Sequence, residues 1–192
     1  MIGAIVLAAG ESRRMGVPKL LLPYRGATMI EAVLEAVTAS GVDRTVVVLG
    51  SIRRAIREKV RRFGVSVAVN PRFREGMLSS IQRGVSALPR RFQAALVVLG
   101  DQPGISPAVI DSLVRAWREG RKGIVVPMFS GRRGHPLLID LKYRPRIGLL
   151  TAETGLRGLL AAHPDDVLAV DVPDSAILSD IDTPEDYRKA LA

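Results

Sequence analysis

Residues 7–19 read Leu-Ala-Ala-Gly-Glu-Ser-Arg-Arg-Met-Gly-Val-Pro-Lys, and they begin inside an apolar run that extends from Ile2 to Ala8. The run predicts a buried strand, because it is continuously apolar and stops abruptly at small residues and glycine. Small residues such as Ala9 and Gly10 let a backbone approach a ligand closely, and successive N–H groups there can bind an anion. The stretch therefore predicts an anion-binding loop directly after a core strand.

Charged side chains in this loop indicate which anion it would bind. Arg13 and Arg14 carry guanidinium forks and Lys19 carries a compact ammonium group, and both kinds of group bind phosphate oxygens. Two better-known phosphate loops are excluded, because five residues separate Gly10 from Gly16 and no Gly-x-Gly-x-x-Gly follows the strand. The loop therefore predicts a phosphate site of another type, and a turn followed by a solvated basic segment is the alternative.

The composition narrows the class of protein. The chain has 192 residues, 47% of them hydrophobic, which predicts one domain over residues 1–192 with a sizeable core. No apolar run approaches the ~18 residues of a membrane span, and no basic segment precedes the first strand as in a signal peptide. Cysteine is absent, which excludes disulfides and thiolate metal sites. We therefore expect a cytoplasmic protein without a membrane partner.

The formal net charge of +9 fits either an anionic substrate or a nucleic acid. The arginines are scattered along the chain, and aromatic residues make up only 4% of it, too few for a row of base-stacking platforms. We expect no nucleic-acid partner and assign the charge partly to a phosphate site and partly to an arginine-rich surface. A basic nucleic-acid-binding domain is the alternative from outside the enzymes.

Strand and helix patterns alternate along most of the chain. Thr28 and Glu31 form a capping box, and Ser106-Pro107 supplies an N-cap and the first position of another helix. Apolar runs predict strands over residues 2–8, 45–49, 65–69, 94–99, 124–126, 136–139 and 167–172. Caps and amphipathic spacing predict helices that begin near residues 28, 52, 76, 106, 155 and 183. This alternation predicts a Rossmann-like three-layer α/β/α fold with a mostly parallel twisted sheet.

Carboxylates fall where such a sheet binds ligands, beyond the carboxyl ends of its strands. Asp101 directly follows the most apolar strand, where an unpaired carboxylate would be costly to bury. Asp180 and Asp182 flank one residue, so in an extended chain their side chains share a face. Together the three predict a Mg²⁺ site, since Mg²⁺ prefers oxygen ligands and keeps water and substrate phosphates in its shell. A local role in a turn or helix cap is the alternative for Asp101 and Asp182.

Several segments occur in an order that a known family shares. They are residues 7–23, Asn70-Pro71 with Gly76-Met77-x-Ser79-Ser80-x-x-x-Gly84, Gly100-Asp101-Gln102-Pro103, Gly131-x-x-Gly134-His135-Pro136, and residues 180–186. In these segments the chain resembles the MobA-like nucleotidyltransferases, most closely the molybdenum cofactor cytidylyltransferase branch. One segment differs: the family tends to carry Gly-Asp-x-Gly-Ala-Arg where residues 152–157 read Ala-Glu-Thr-Gly-Leu-Arg. The identity of the acceptor therefore stays open.

The resemblance implies a fold of the nucleotide-diphospho-sugar transferase type and a reaction. CMP would pass from CTP to the terminal phosphate of molybdenum-bearing molybdopterin, with Mg²⁺ as cofactor, pyrophosphate as second product and a molybdoenzyme as client. A phosphate monoester with a second pKa near ~6 is largely dianionic at neutral pH, so no general base is required. GTP transfer to molybdopterin, NTP transfer to another phosphorylated acceptor, and a carrier of the finished cofactor are the alternatives.

The resemblance also implies a role for individual residues. Arg14, Lys19 and Asp101 would be catalytic, and Asp101, Asp182 and Asp180 would hold the metal. The nucleotide would be bound by Leu7, Ala8, Ala9, Gly10, Ser12, Arg13, Arg14, Lys19, Asn70, Gly76, Ser79, Ser80 and Asp101. The acceptor would be bound by Gln102, Pro103, Gly134, His135 and Arg157. An ordinary N-cap is the alternative for the two serines, and a structural turn is the alternative for the histidine.

Overall fold

One sheet of eight strands organises the part of the chain that the computed structural model describes, residues 1–191. The strands are β1 (Ile2–Ala8), β2 (Pro23–Tyr24), β3 (Ala27–Thr28), β4 (Arg44–Leu49), β5 (Ser66–Val69), β6 (Ala94–Leu99), β7 (Ile124–Phe129), β8 (Arg132–Arg133), β9 (Leu137–Asp140) and β10 (Val167–Asp171). The α-helices are α1 (Met29–Thr38), α2 (Arg53–Val60), α3 (Met77–Ala87), α4 (Pro107–Gly120), α5 (Arg144–Leu149), α6 (Gly155–Ala162) and α7 (Pro184–Leu191).

Strand β1 lies inside the sheet, between β6 and β4. The strand order is β10-β7-β9-β6-β1-β4-β5, while β8 pairs with β7, and β2 and β3 form a separate hairpin. Strands β4 and β6 run parallel to β1, with Ile5 opposite Val46 on one side and Val97 on the other. Strand β9 runs antiparallel between β6 and β7. The predicted mostly parallel sheet is therefore confirmed.

Helices cover both faces of this sheet, because alternate residues of its buried strands point to opposite sides. Val6 packs in one apolar cluster with residues of α1, α2 and α4, including the fully buried Leu34 and Leu113. Ile5 packs in a second cluster with residues of α3, α5 and α6. A Cβ on Gly84 would lie 2.2 Å from Cγ2 of Ile5, so α3 packs against β1 at a distance that only glycine permits. The three-layer prediction is thus confirmed.

Local signals place several helix ends correctly. The Glu31 carboxylate accepts hydrogen bonds from the backbone N–H of Thr28 at 2.9 Å and from its hydroxyl at 2.6 Å, which confirms the capping box. Ser106 accepts a hydrogen bond from the N–H of Val109 and caps α4, as predicted. The helix predicted over residues 52–63 is shorter, since its α-helical part ends at Val60 and a 3-10 turn follows.

Other elements differ from the prediction. Between the strands predicted over residues 124–126 and 136–139, β8 folds back on β7 in a hairpin, and this pairing extends β7 to Phe129. Ser130 and Gly131 have φ values of +48° and +75°, the left-handed backbone that tight hairpin turns require. The β2–β3 hairpin and the short helix α5 were not predicted. Both are too short to show a period in the sequence.

The carboxyl ends of β1 and β6 meet at one edge of the sheet. The N–H of Gly100 donates to the carbonyl of Leu7 at 3.0 Å, and a Cβ on Gly100 would lie 2.6 Å from that oxygen. The segment before α7 returns to the same edge, where the N–H of Ile181 donates to the carbonyl of Asp101 at 3.0 Å. Within residues 1–191, no helix is long and apolar enough to cross a membrane.

Candidate active site

A cavity of about 390 Å³ opens at the carboxyl ends of β1 and β6, and we name it the central cavity. Its lining residues are Leu7, Gly10, Glu11, Ser12, Arg13, Arg14, Lys19, Leu20, Phe73, Arg74, Asp101 and Asp182. Seven of the predicted nucleotide-binding residues are among them. Ala8 and Ala9 are instead buried at the end of β1, where they anchor the loop rather than line the cavity.

The loop after β1 is held in a compact turn by its own residues. Ser12 has a left-handed backbone with φ of +53°, its carbonyl accepts the N–H of Met15 at 3.0 Å, and Met15 is buried. The hydroxyl of Ser12 accepts the N–H of Lys19 at 3.2 Å. The loop therefore closes on itself, and it directs Lys19 into the cavity while Arg13 and Arg14 stay exposed at the rim.

Lys19 lies between two carboxylates at the centre of the cavity. Its ammonium nitrogen is 2.6 Å from Oδ2 of Asp101 and 2.7 Å from Oδ1 of Asp182. Arg14 contacts the other oxygen of Asp182 at 2.8 Å. Burial acts to lower the pKa of Lys19, but the two carboxylates outweigh it, so the pKa of Lys19 is raised. The Lys19 ammonium is therefore charged at neutral pH, and oxygens of the two carboxylates converge on this one cationic position.

Two converging carboxylates fit Mg²⁺, which commonly takes one or two protein carboxylates and completes its shell with water and phosphates. Within residues 1–191, no three His, Asp or Glu side chains surround one metal position. Asp180 does not join the pair, because its Oδ1 accepts a hydrogen bond from Gln102 at 2.6 Å. Of the three carboxylates predicted to hold a metal, Asp101 and Asp182 converge within the described residues, whereas Asp180 is bound to a different partner.

Burial and the nearby charge of Asp101 raise the pKa of Asp180. The buried side chain of Ile181 separates the two aspartates that flank it. The carboxylate of Asp182 contacts Lys19 and Arg14, and these cations hold its pKa below the usual value although burial opposes them. Sharing a face in an extended chain was therefore not enough to bring Asp180 and Asp182 to one cation.

Four residues that were not predicted as site residues also line the central cavity, namely Glu11, Leu20, Phe73 and Arg74. Glu11 bridges Arg13 and Arg74, with contacts of 2.6 Å to Arg13 and 3.3 Å to Arg74. Phe73 supports this wall, since its ring lies 5.6 Å from the guanidinium carbon of Arg74. The arginine-rich segment after Asn70 was the available signal, but nothing in its spacing showed which of its arginines would reach the cavity.

Asn70, Ser79 and Ser80 do not face the central cavity. All three are buried, and the side-chain amide of Asn70 donates to the hydroxyls of Ser79 and Ser80 at 2.9 and 3.0 Å. The Ser79 hydroxyl also contacts the carbonyls of Arg72 and Gly76 at 2.8 Å. Contact of these three residues with the nucleotide therefore stays a prediction, and in this structure their side chains bond to one another. The cluster holds the turn that carries the cavity wall, because it satisfies that turn's buried polar groups.

Gly76 is the N-cap of α3 and also lies in this turn. It has φ of +103° and ψ of 179°, a conformation that is essentially restricted to glycine. The predicted nucleotide-binding role of Gly76 is thus indirect, because the residue reverses the chain between the cavity wall and α3. The alternative of a serine N-cap is wrong for this helix.

A second cavity, of about 590 Å³, lies beside β9 and α6, and we name it the flanking cavity. It brings together three of the predicted acceptor-binding residues, Gly134, His135 and Arg157, with Arg133, which was not predicted. Its other lining residues are Val126, Leu137, Leu160, Ala161, Pro164 and Val167. The cavity thus combines two arginines and a histidine with an apolar wall.

Burial lowers the pKa of His135, and the Arg157 cation adds to this, while the Asp101 carboxylate acts in the opposite direction. His135 therefore lies within electrostatic range of both cavities and is neutral at pH 7. Gln102 and Pro103 do not line the flanking cavity. Gln102 is buried and donates to Asp180 and to the carbonyl of Ile177, and its contact with an acceptor stays a prediction.

Pro103 is buried and lines a different cavity, together with Tyr24 and Asp180. Residues of the hairpin β2–β3 and of the segment that precedes α7 line this cavity with it. The contact of Pro103 with the acceptor stays a prediction, and this cavity is separate from the one lined by His135 and Arg157.

This chain is similar to known proteins over most of its length. A family model described as the MobA-like NTP transferase domain matches residues 4–167. The nicotine blue oxidoreductase of Paenarthrobacter nicotinovorans is 33% identical, over 99% of this chain and 96% of that protein. The molybdenum cofactor cytidylyltransferase of Escherichia coli (strain K12) is 26% identical, over 98% of this chain and 95% of that protein.

Among solved structures, that of Rv0371c from Mycobacterium tuberculosis H37Rv has a TM-score of 0.86 and 30% identity, and covers 99% of this chain and 96% of its own. Rv0371c has also been solved in complex with manganese, in a structure with a TM-score of 0.81 and 28% identity that covers 99% of this chain and 97% of its own. The similarity therefore extends over all the elements that build both cavities.

Proposed function

Because the chain belongs to the MobA-like NTP transferase family, and so to the nucleotidyltransferases, we propose that it transfers CMP from CTP to the terminal phosphate of molybdopterin that carries molybdenum. The products are pyrophosphate and molybdopterin cytosine dinucleotide. The observation that carries this proposal is the convergence of Asp101 and Asp182 on the Lys19 ammonium in a cavity rimmed by arginines. Transfer of GMP to molybdopterin, or of a nucleotide to another phosphorylated acceptor, uses the same cavity and is the alternative.

The central cavity is the nucleotide site in this proposal. Its rim arginines Arg13 and Arg14 neutralise the triphosphate, and the ammonium of Lys19 moves from the carboxylates to a phosphate oxygen. Asp101 and Asp182 would then hold Mg²⁺, the cofactor we propose. When bound, this ion supplies charge stabilisation for the transferring phosphoryl group and the leaving pyrophosphate.

The flanking cavity is the acceptor site. Arg133 and Arg157 balance the charge of the acceptor phosphate, and the apolar wall formed in part by Leu160 packs against a planar ring system. His135 is neutral because burial lowers its pKa, so it can donate one hydrogen bond without adding charge. His135 and Gln102, the residue after Asp101, both donate to the carbonyl of Ile177, so the two cavities are neighbours, and in this proposal the acceptor phosphate reaches the nucleotide across the boundary between them.

The chemistry requires no added base. An oxygen of the dianionic acceptor phosphate forms a bond to the α-phosphorus of CTP, the bond from that phosphorus to the bridging oxygen breaks, and pyrophosphate leaves. Catalysis then rests on positioning and on charge neutralisation by Arg14 and Lys19. This fits a cavity whose titratable residues are already paired as ions.

The same proposal implies where the enzyme acts and which proteins receive its product. We place it in the cytoplasm, where CTP is available, as a single domain that passes its product to a molybdoenzyme client. A nucleic acid does not fit the central cavity, because the carboxylates of Asp101 and Asp182 would repel its phosphate backbone.

Reduction of a planar aromatic substrate is a second candidate function. The full-length similarity to a protein named nicotine blue oxidoreductase favours it. The flanking cavity, with its apolar wall and two arginines, would accept an anionic aromatic compound equally well. This function requires an added two-electron donor and no nucleoside triphosphate, whereas the proposed nucleotidyl transfer requires a nucleoside triphosphate. The two candidate functions can therefore be distinguished by the co-substrate that each needs.

Calorimetric titration of the purified protein with CTP, GTP, ATP and UTP, with and without Mg²⁺, tests the proposal first. We expect Mg²⁺-dependent binding with preference for CTP, followed by pyrophosphate release when molybdenum-bearing molybdopterin is added. Preference for GTP would move the assignment to the guanylyl reaction. Binding of no triphosphate, together with reduction of a planar aromatic substrate by an added electron donor, would replace the proposed function with the second candidate.

A further inference from the structure

The charged residues of the central cavity form two groups that no ion pair joins. In one group Arg14, Asp182, Lys19 and Asp101 are linked by ion pairs of 2.6 to 2.8 Å. In the other, Glu11 joins Arg13 and Arg74, which come from different segments of the chain. The first group contains the proposed metal ligands. The second group has no role in the function proposed above, apart from the rim charge of Arg13.

In this second group the Glu11 carboxylate lies where an anionic ligand could bind the two guanidinium groups. One of its oxygens accepts from Nε of Arg13 at 2.9 Å, and the other accepts from Nε of Arg74 at 3.3 Å. Its side chain is only 24% exposed, whereas the side chains of Arg13 and Arg74 are 79% and 75% exposed. Two exposed guanidinium groups from different segments are thus gathered around one carboxylate, in the arrangement that a phosphate group would also satisfy.

The wall that carries Arg74 is firmly supported. The Phe73 ring packs so closely on the chain after β4 that a Cβ on Gly50 would lie 2.9 Å from its Cγ. The buried side chain of Asn70 accepts the N–H of Arg72 and braces the start of the same turn. The neighbouring Arg72 pairs with Glu75 within the turn and does not line the cavity. Arg74 is therefore presented to the cavity by a fixed scaffold.

We propose that Arg74 is a further phosphate-binding residue of this site and that Glu11 holds it in place until an anion displaces the carboxylate. The proposal rests on the function proposed above. The N–H of His135, which lines the flanking cavity, and the side-chain amide of Gln102, the residue after Asp101, both donate to the carbonyl of Ile177, so the Asp101 group lies on the side where the acceptor meets the α-phosphate. The Glu11 group has no ion pair with the Asp101 group, and so it receives the β- and γ-phosphates, the part that leaves as pyrophosphate.

The net charge of the cavity lining supports the proposed displacement of Glu11 by a phosphate group. The cavity is lined by four cationic side chains, Arg13, Arg14, Lys19 and Arg74, and by three carboxylates, those of Glu11, Asp101 and Asp182, which leaves a net charge of +1. A triphosphate carries several negative charges, so a cavity that keeps Glu11 between two arginines would oppose it. Displacement of Glu11 frees both guanidinium groups for the incoming phosphates.

Calorimetric titration with inorganic pyrophosphate, CTP and CMP tests this assignment, with Arg72→Ala as the matched control on the same turn. We expect Arg74→Ala to weaken pyrophosphate and CTP binding about tenfold, the effect of one lost charged contact, and to leave CMP binding unchanged. Glu11→Gln should tighten pyrophosphate binding several-fold, because it removes the competing charge. That gain should disappear in the Glu11→Gln/Arg74→Ala double variant.

Wild-type binding of CTP with equal pyrophosphate affinity in Arg74→Ala and Arg72→Ala would overturn this inference and leave the proposed function intact. An equal loss of CMP and pyrophosphate affinity in Arg74→Ala would also overturn it, because the residue would then act on the fold of the site. Failure of the wild-type protein to bind either CTP or pyrophosphate would overturn both proposals.

Discussion

The ammonium nitrogen of Lys19 lies 2.6 Å from Oδ2 of Asp101, although the two residues are 82 positions apart in the chain. The contact forms because β1 and β6 are adjacent parallel strands, so the loops that follow them meet at one edge of the sheet. Asp182 completes the arrangement from the segment before α7. The lysine thus occupies the position between two carboxylates where we place the divalent cation.

Lys19→Ala is expected to change metal and nucleotide binding in opposite directions. Removing the ammonium leaves Asp101 and Asp182 as an uncompensated pair, so Mn²⁺ should bind more tightly than to wild type in the absence of nucleotide. CTP should bind about tenfold or more weakly, because a charged phosphate contact is lost. Mn²⁺ titration followed by electron paramagnetic resonance, with calorimetry for CTP, measures both. Unchanged affinity for both ligands would return Lys19 to a solely structural role.

Asp101→Asn should abolish nucleotidyl transfer and leave the fold intact. The amide keeps the size of the side chain but removes the charge that pairs with Lys19 and would bind the metal. Pyrophosphate release is the assay, and circular dichroism checks the fold. Asp171→Asn is the matched control, since Asp171 is exposed at the end of β10 and lines neither the central nor the flanking cavity. Near-normal turnover in Asp101→Asn would refute the ligand assignment.

Arg157→Ala should raise KM for the acceptor and leave CTP affinity unchanged. Arg157 lines the flanking cavity and does not line the central one, so its loss removes acceptor charge balance only. The loss of one charged hydrogen-bonding contact corresponds to about 1.5–3 kcal/mol. Steady-state kinetics with varied acceptor, and separately with varied CTP, measure the two effects. An equal rise in both KM values would contradict the division into two cavities.

Asp166 should make the fold sensitive to acid. Although burial opposes it, hydrogen bonds from Lys142, Tyr143 and the N–H of Gly123 lower the pKa of Asp166 to about 2, from an ordinary value of 3.8. A carboxyl whose pKa is lower in the folded state stabilises it fully above the unfolded value. That stabilisation, about 2 kcal/mol, is lost as the pH falls from about 4 through about 2.

Urea denaturation of wild type and Asp166→Asn at several pH values tests this linkage. The variant should be less stable at pH 7, and the difference in free energy of unfolding should shrink as the pH falls toward 2. Asp165→Asn is the control, because Asp165 is the exposed neighbour in the same turn. A stability difference that is the same at pH 7 and pH 3 would show that the charge of Asp166 is not responsible.

Gly84→Ala should destabilise the fold by about 1–3 kcal/mol, because the added methyl group would overlap Cγ2 of Ile5 and push α3 away from β1. Gly148→Ala provides the control, since a Cβ there meets no atom within 4 Å and alanine favours a helix. Thermal or urea unfolding measures both. Equal stability of the two variants would mean that the contact between α3 and β1 relaxes without cost.

Local patterns were sufficient for much of the fold. The apolar run of β1, the capping box at Thr28 and the Ser106-Pro107 start of α4 are each encoded by adjacent residues, so they could be predicted. The hairpin at Ser130 and the short helix α5 were missed, because neither is long enough to show a period. The loop after β1 was identified by its glycines and cations, which need no knowledge of distant partners.

In the candidate site, too, some features follow from neighbouring residues and others from contacts between distant residues. Neighbouring residues alone were enough to predict that β1 ends in a cationic loop, that Asp101 follows a core strand and that an α/β sheet would bring their ends to one edge. The pairing of Lys19 with Asp101 and Asp182, the bond of Asp180 to Gln102 and the contact of Glu11 with Arg74 became visible only in the folded chain. These are contacts between side chains far apart in the chain. Their geometry depends on how loops pack against one another, which no periodicity of the sequence records.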